Sequence, residues 1–292
     1  MKGSPIPSPQ APKPLLPWLH QTLGAGMPKS RVVQLLRMGR IAINGTAITR
    51  HDHIVEPSDS LSLLPRGFAA ASHGAQGCRI RIIHLDDHVI VAEKPAGLLT
   101  VATETNTTDT AFTRLREWLE GSRAGRPFVV HRLDRDTSGL IIFARSAESR
   151  DRLQAEWDQV KKVYLALCRG KPADPEGVID NYLEEGADLK VRAHPRAGGH
   201  AKRAVSRYRV LAARKGHSLV EVIIETGRKH QVRVHLAGLG CPVAGDRIYG
   251  DAEGPRMALH AWKLGFNHPG SGESCHFEAV PGPLFLPWLN QS

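Results

Sequence analysis

A chain of 292 residues with 41% hydrophobic content can build one medium domain plus a small accessory module, which excludes a disordered polymer. Its 39 Lys and Arg against 29 Asp and Glu leave +10 before any histidine is counted, a balance that favours a polyanionic partner because each phosphate neutralised releases a counterion. The four cysteines, Cys78, Cys168, Cys241 and Cys275, are scattered with no Cys-x-x-Cys or Cys/His clip. That argues against a metal site or a disulfide framework and predicts a reducing compartment.

In chain order, residues 1–14 are rich in Pro and Ser and read as a flexible tail. The apolar patch Leu15 to Leu19 is short and broken by Pro17, so neither a signal peptide nor a membrane span is expected, and the chain is placed in the cytoplasm. Residues 15–65 form a compact pattern. Ser30 is positioned to cap a helix over Arg31 to Arg37 that stops at Gly39. Ile41 and Ile43 alternate with small residues before a tight turn at Asn44-Gly45, and Ile48 resumes the apolar face. A second turn at Pro57-Ser58-Asp59 leads into Leu61 and Leu63. The segment 66–77 has no periodicity and reads as a linker.

From Cys78 onward strands dominate, in a catalytic-sized domain of residues 78–292. Strands are predicted at 79–83, 89–92, 128–130, 140–143, 163–167, 205–210, 219–225 and 258–266. Helices are predicted at 110–119, 147–160 and 230–238. Strands outnumber helices without alternating regularly with them, so the fold class is α+β with a mixed, largely antiparallel sheet.

Three segments are rich enough in functional groups to carry chemistry. The first, His131-Arg-Leu-Asp-Arg-Asp-Thr-Ser-Gly-Leu140, is a polar loop between two apolar strands. It is either a site held by a rigid scaffold or a charged surface turn whose Asp and Arg residues pair. His-Arg-Leu-Asp echoes the protein-kinase catalytic loop, but no Asp-Phe-Gly follows and no glycine-rich phosphate loop precedes it, so a kinase is rejected. The second, Thr226-Gly-Arg-Lys-His-Gln-Val-Arg-Val-His235, closes a strand and opens a helix. Read by itself it is a phosphate-binding helix start or a solvated basic face. The third, Lys162-Val-Tyr-Leu-Ala166, puts Tyr164 opposite the core side of its strand, as a stacking aromatic or a structural one.

Taken in order, these segments resemble the RluA-type pseudouridine synthase family, together with Glu93-Lys-Pro-Ala-Gly97, Met257-Ala-Leu-His-Ala261 and Phe277-Glu-Ala-Val-Pro281. The resemblance runs from Arg81 to Glu278. Glu93 stands where the family usually carries Asn, a difference expected to touch the packing of that turn. Pro28-Lys-Ser-Arg-Val32, Gly39-Arg-Ile-Ala-Ile-Asn-Gly45 and the turn-plus-strand 57–63 are similar to the small RNA-binding fold named after a ribosomal small-subunit protein, the S-four fold, with a first helix near 15–23. Lys29, Ser30, Arg31, Arg37 and Arg40 crowd one helix-turn unit there, a phosphate-contacting surface or a solvated charged face.

What the resemblance implies is an isomerase that cuts the bond from ribose carbon 1 to uracil nitrogen 1, turns the base and rejoins it through carbon 5. Neither a metal nor a cofactor is expected. Asp134 is the implied catalytic carboxylate, ionised yet shielded, a state that a neighbouring arginine favours. Arg233 is the implied partner and Arg228 its competitor in the same run. Arg132 would replace the flipped base in the RNA stack, Tyr164 would stack on the uracil, and Leu259 would form an apolar wall. Asp136 is the decoy, with a loop-holding role against Arg135. Asp134 would attack the ribose, attack the ring, or remove a proton from ribose carbon 2. The implied partner is RNA, with large-subunit ribosomal RNA first and transfer RNA second, bound by a monomer. The rivals are a non-catalytic RNA-binding or ribosome-assembly factor on the same scaffold, and a base-removing glycosylase that would release free uracil.

Overall fold

In a computed structural model, the structure describes residues 4–24, 26–37, 40–44, 46–48, 53–63, 80–103, 108–121, 125–250 and 254–289. The Pro- and Ser-rich start is not a free tail. β1 (Ser4–Ile6) runs antiparallel to residues 61–63 and buries Ile6, and β2 (Lys13–Pro14) pairs with residues 54–55. Ile6 is the physical reason, because it completes an apolar cluster with Leu15, Leu19, Val32, Leu36, Ile41 and Leu61. The prolines are tolerated because they fall in short strands that need few amide donors.

α1 (Leu15–Leu23) includes Pro17, which sits in the first turn, where an amide has no intrahelical partner to lose. α2 (Lys29–Arg37) starts earlier than expected. The amides of Arg31 and Val32 reach the Pro28 carbonyl at 2.9 and 3.2 Å, so Ser30 lies inside the first turn and does not cap it. The expected stop at Gly39 lies outside the described residues. β3 (Ile41–Ile43) and β4 (Thr46–Ile48) pair with Ile43 opposite Thr46. Asn44 has φ +51°, as the first residue of a primed two-residue turn requires; Gly45 lies outside the described residues. β5 (Ile54–Val55) and β6 (Leu61–Leu63) complete this part. The expected linker, 66–77, and Cys78 also lie outside the described residues.

The second part follows as β7 (Arg81–Leu85), β8 (Val89–Lys94), α3 (Ala111–Gly121), β9 (Phe128–Val129), β10 (Ser138–Ala144) and α4 (Ala147–Ala155). Then come β11 (Lys161–Arg169), β12 (Glu176–Glu185), β13 (Val191–His194), β14 (Lys202–Arg214), β15 (His217–Ile224) and α5 (Gln231–Gly238). β16 (Leu259–Asn267), β17 (Ser274–Glu278) and α6 (Leu286–Leu289) close the chain. One sheet runs β13-β12-β14-β15-β11-β16-β10-β8-β7, with β17 on β16 and β9 on β10. β10 and β16 are parallel and the other pairs antiparallel, which is the mixed, largely antiparallel α+β sheet expected.

β10 is buried along its whole length, and its side chains alternate between two cores. Leu140 and Ile142 meet Leu153 of α4 and Phe266 on one face, while Ile141 and Phe143 meet Leu115 and Leu119 of α3 on the other. On the far half of the sheet, Val232 and Leu236 of α5 pack on Val220, Val222 and Ile224. α4 ends at Ala155, short of the expected 160, and the chain tightens into a 3-10 turn that brings Trp157 against His131 with ring centroids 4.6 Å apart. Gly139 has φ +113°, and a Cβ there would lie 2.2 Å from the Ala261 carbonyl oxygen. Only glycine allows β10 to pair with β16 at this point.

Candidate active site

The polar loop between β9 and β10 is held from below by three anchors. His131 accepts the Ile142 amide on Nε2 at 3.1 Å. Burial and then the charge of Lys162 pull its pKa down to about 3, so it is a neutral clip rather than an acid or base. The Leu133 carbonyl accepts from the Thr100 hydroxyl at 2.9 Å, and the Leu133 amide donates back to it at 3.1 Å. Lys94, fully buried, donates to the carbonyls of Pro95, Leu98 and Arg135 at 3.0, 2.7 and 2.9 Å. Burial lowers its pKa to about 7, against the pull of Asp134 and Asp136. Glu93 beside it accepts from Arg81 at 2.7 Å across the β7–β8 pair, which gives this chain's glutamate a packing role.

With the loop so fixed, Asp134 points into an open groove of about 1320 Å³. Asp136 also lines the groove, but it pairs with Arg135, at 3.2 and 3.3 Å. Arg233, on the first turn of α5, donates from one terminal nitrogen to Asp134 at 3.2 Å. Its other two nitrogens donate to the carboxylate of Asp246 at 2.7 and 2.8 Å. Asp246 is buried and also accepts the amides of Ile248 and Tyr249. Burial works to raise its pKa, but the Arg233 and backbone hydrogen bonds outweigh burial and hold it below the usual carboxylate value. Arg228 does not compete, because its Nε donates to the Arg203 carbonyl at 3.0 Å.

The run 226–235 is divided: Gly227, Arg228 and Lys229 are exposed and line the groove, whereas residues 231–235 are buried. Lys229 pairs with Glu185. Gln231 is buried, donating to the Val205 carbonyl and accepting from the Thr226 hydroxyl and the Arg228 amide. His235 is buried between Ser206 and Asn181. His230 sits at φ +56° in front of α5, with Nδ1 2.8 Å from the Tyr249 hydroxyl and Nε2 4.0 Å from Asp134. Burial lowers its pKa and keeps the ring neutral, although Asp134 pulls the other way.

Tyr164 and Leu259 line the groove with Asp134. Burial, then the negative charge of Asp134, raises the Tyr164 pKa and keeps its hydroxyl protonated. Arg132 is exposed at the groove rim. The structure therefore brings Asp134, Arg233, Tyr164, Arg132 and Leu259 together. Lys29, Ser30 and Arg31 lie in the first turn of α2, Arg37 is its last residue and Arg40 precedes β3, all on the first part of the chain. Sequence reasoning missed Asp246, His230 and the role of Lys94. Lys94 had a signal in its motif. Asp246, at 246 in a Gly-Asp turn, had none before the fold placed it against Arg233.

A carboxylate paired with a clamped arginine, beside a protonated tyrosine in an open groove, defines an enzyme site, and no metal-holding cluster occurs among the described residues. The model of the RNA pseudouridylate synthase family matches residues 88–238. A ribosomal large subunit pseudouridine synthase D of Nitrosomonas europaea is 36% identical over 71% of this chain and 64% of its own length. One of Pseudomonas aeruginosa is 32% identical over 89% of this chain and 86% of its own. An uncharacterized RNA pseudouridine synthase of Bacillus subtilis is 33% identical over 86% and 85%. Among solved structures, human RNA pseudouridylate synthase domain containing 4 superposes with a TM-score of 0.59 at 28% identity, covering 70% of this chain and 90% of that one. The chain belongs to the RNA pseudouridylate synthase family, and its class is that of an isomerase acting on RNA.

Proposed function

We propose that this chain converts uridine to pseudouridine in large-subunit ribosomal RNA, with Asp134 as its catalytic carboxylate. The observation that carries the reading is Arg233, clamped by Asp246 and donating to Asp134 inside the groove. A clamped guanidinium of this kind fixes the orientation of the carboxylate it binds and offsets its charge where water is displaced. Attack on ribose carbon 1, attack on the ring and proton removal from ribose carbon 2 all need one ionised carboxylate at this place. Tyr164 stacks on the flipped uracil with Leu259 as the apolar wall, and Arg132 at the rim fills the gap left in the RNA stack. Large-subunit ribosomal RNA is named on the strength of the two relatives whose names carry it.

Residues 4–63 serve as an RNA handle of the S-four type. In support, two short helices pack on a small antiparallel sheet, and Lys29 and Arg31 stand in the first turn of α2, where backbone amides already favour anions. The described cysteines are free thiols, which supports a reducing, cytoplasmic setting. The test is carbodiimide-induced reverse-transcription stops mapped on total RNA from cells with and without the gene. A stop in large-subunit RNA that disappears without the gene, and stays absent when Asp134→Asn is supplied, is expected. An unchanged map, or rescue by Asp134→Asn, sinks the reading.

A further inference from the structure

Two lysines are buried in the sheet domain, and their surroundings differ. Lys94 has three carbonyl acceptors for its three N–H donors and is closed. Lys162 is 5% exposed, and among the described residues its one hydrogen-bond acceptor is the Trp157 carbonyl, at 3.0 Å. Asp158 acts on it only at longer range. A buried ammonium with one carbonyl partner is costly, and such groups are retained where a partner arrives from outside.

The direction from which that partner arrives is set by the groups around the amine. Trp157 lies beside it and lines the same groove, with the ring centroid 5.3 Å from Nζ. His131, tilted against the same indole, is neutral. Lys162 lines the groove that holds Asp134 and Tyr164. Lys162 and Tyr164 are opposite Ile224 and Val222 in one unbroken register of β11 on β15. Residues two apart on a strand share a face and lie about 6.8 Å apart along it, roughly one nucleotide step. A nucleotide seated against Tyr164 would therefore have its flanking backbone beside Lys162.

We propose that Lys162 binds the phosphodiester flanking the flipped uridine, and that Trp157 is the positioning residue that turns its ammonium towards the groove. This rests on the reading that the groove takes a flipped uridine beside Tyr164. The subsite explains why an ammonium is kept half-satisfied in a buried position. It also adds a fixed point for the strand, because rotating the detached uracil requires the ribose to stay in place.

The test uses the full chain and a stem-loop RNA around the uridine mapped in cells. Two further versions replace the phosphodiester on the 5′ or the 3′ side of that uridine by a neutral methylphosphonate. The wild-type chain is expected to lose about 10- to 100-fold in affinity for one neutral version, the worth of a hydrogen-bonded charge. Lys162→Met should show the same loss with unmodified RNA and no further loss with that neutral version. Its salt slope should be shallower by about 0.7–0.9 in log Kd per log salt. Trp157→Leu should weaken the response to the neutral linkage, and Lys162→Arg should restore it.

Lys162→Met responding to both neutral linkages as strongly as wild type overturns the proposal. Should Lys162→Met not fold, two wild-type measurements decide. Insensitivity to both neutral linkages, or reductive methylation of Lys162 at the same rate with and without the stem-loop, overturns it. Single-turnover release of tritium from carbon 5 separates this from the underlying reading. A wild-type chain that binds the stem-loop without releasing tritium sinks the synthase reading, whereas an active chain indifferent to both neutral linkages sinks only the Lys162 subsite.

Discussion

Asp246 holds two nitrogens of Arg233 at 2.7 and 2.8 Å and so aims the third at Asp134, 3.2 Å away. A guanidinium gripped on two sides cannot swing, so the geometry at Asp134 is set before RNA arrives. Asp246→Asn keeps the shape but loses the charge and one of the two matched acceptors. Its single-turnover rate should fall about 100-fold, the scale of a small misplacement at a reacting centre. RNA affinity should stay near wild type, since Asp246 is buried. Asp246→Ala leaves Arg233 without its buried partner and should also cost about 3–5 kcal/mol of stability. A tritium-release assay with a urea melt checks both. A normal rate in Asp246→Asn would mean that Arg233 needs no clamp.

Tyr164 lines the groove and carries a hydroxyl that stays protonated. Tyr164→Phe keeps the face and should retain most binding. Tyr164→Ala should lose about 1–3 kcal/mol of binding, the worth of one stacked base, and turnover with it. Equal affinities for the two variants, measured by filter binding, would remove stacking from the account.

Lys94 gives stability a pH signature. Its pKa, lowered by burial from 10.5 to about 7, means that the folded chain sheds this proton above pH 7 while the unfolded chain keeps it to about 10.5. In that window the unfolded state binds more protons, so this group adds stability as pH rises, by at most about 1.4 kcal/mol per pH unit. Below pH 7 both states hold the proton and the slope from this group vanishes. Lys94→Met lacks the term. Urea melts from pH 7 to 9.5 should show wild type gaining on Lys94→Met; parallel pH curves would refute the shift.

Residues 1–66 carry Lys29, Arg31, Arg37, Arg40 and Arg50. Their removal should leave the sheet domain folded, because its cores are built from residues 80–289. RNA affinity should drop and its salt slope flatten by roughly 0.7–0.9 per lost phosphate contact. The saturating single-turnover rate should change much less, since contacts made equally in ground and transition states alter binding alone. A collapsed rate with unchanged affinity would end the idea of a handle.

The apolar runs of β8, β10, β11 and β15 and the two helices within residues 111–155 were legible because each rests on local composition and period, and the order of motifs from Glu93 to Pro281 was legible as a family resemblance. The loop 131–140 was legible as a polar turn between two apolar strands, whereas the choice of Asp134 within it came from the family resemblance. β12 and β13 were not legible. They lie at the open end of the sheet, with most side chains intermediate or exposed, so no apolar alternation marks them. The strands β1 and β2 were hidden for a related reason, since Ile6 is a single apolar residue among prolines and serines and gains meaning only against Leu61 and Ile41.

The choice between Arg233 and Arg228 could not be made along the chain, where only four residues separate two identical side chains. It was made by the helical start of α5, which turns Arg233 inward to Asp246 and leaves Arg228 on the Arg203 carbonyl. Composition and spacing name which groups are present. Which of them share a buried volume, and so feel one another's charge through low dielectric instead of through water, depends on contacts between residues as far apart as 134 and 233, and only the folded sheet supplies those.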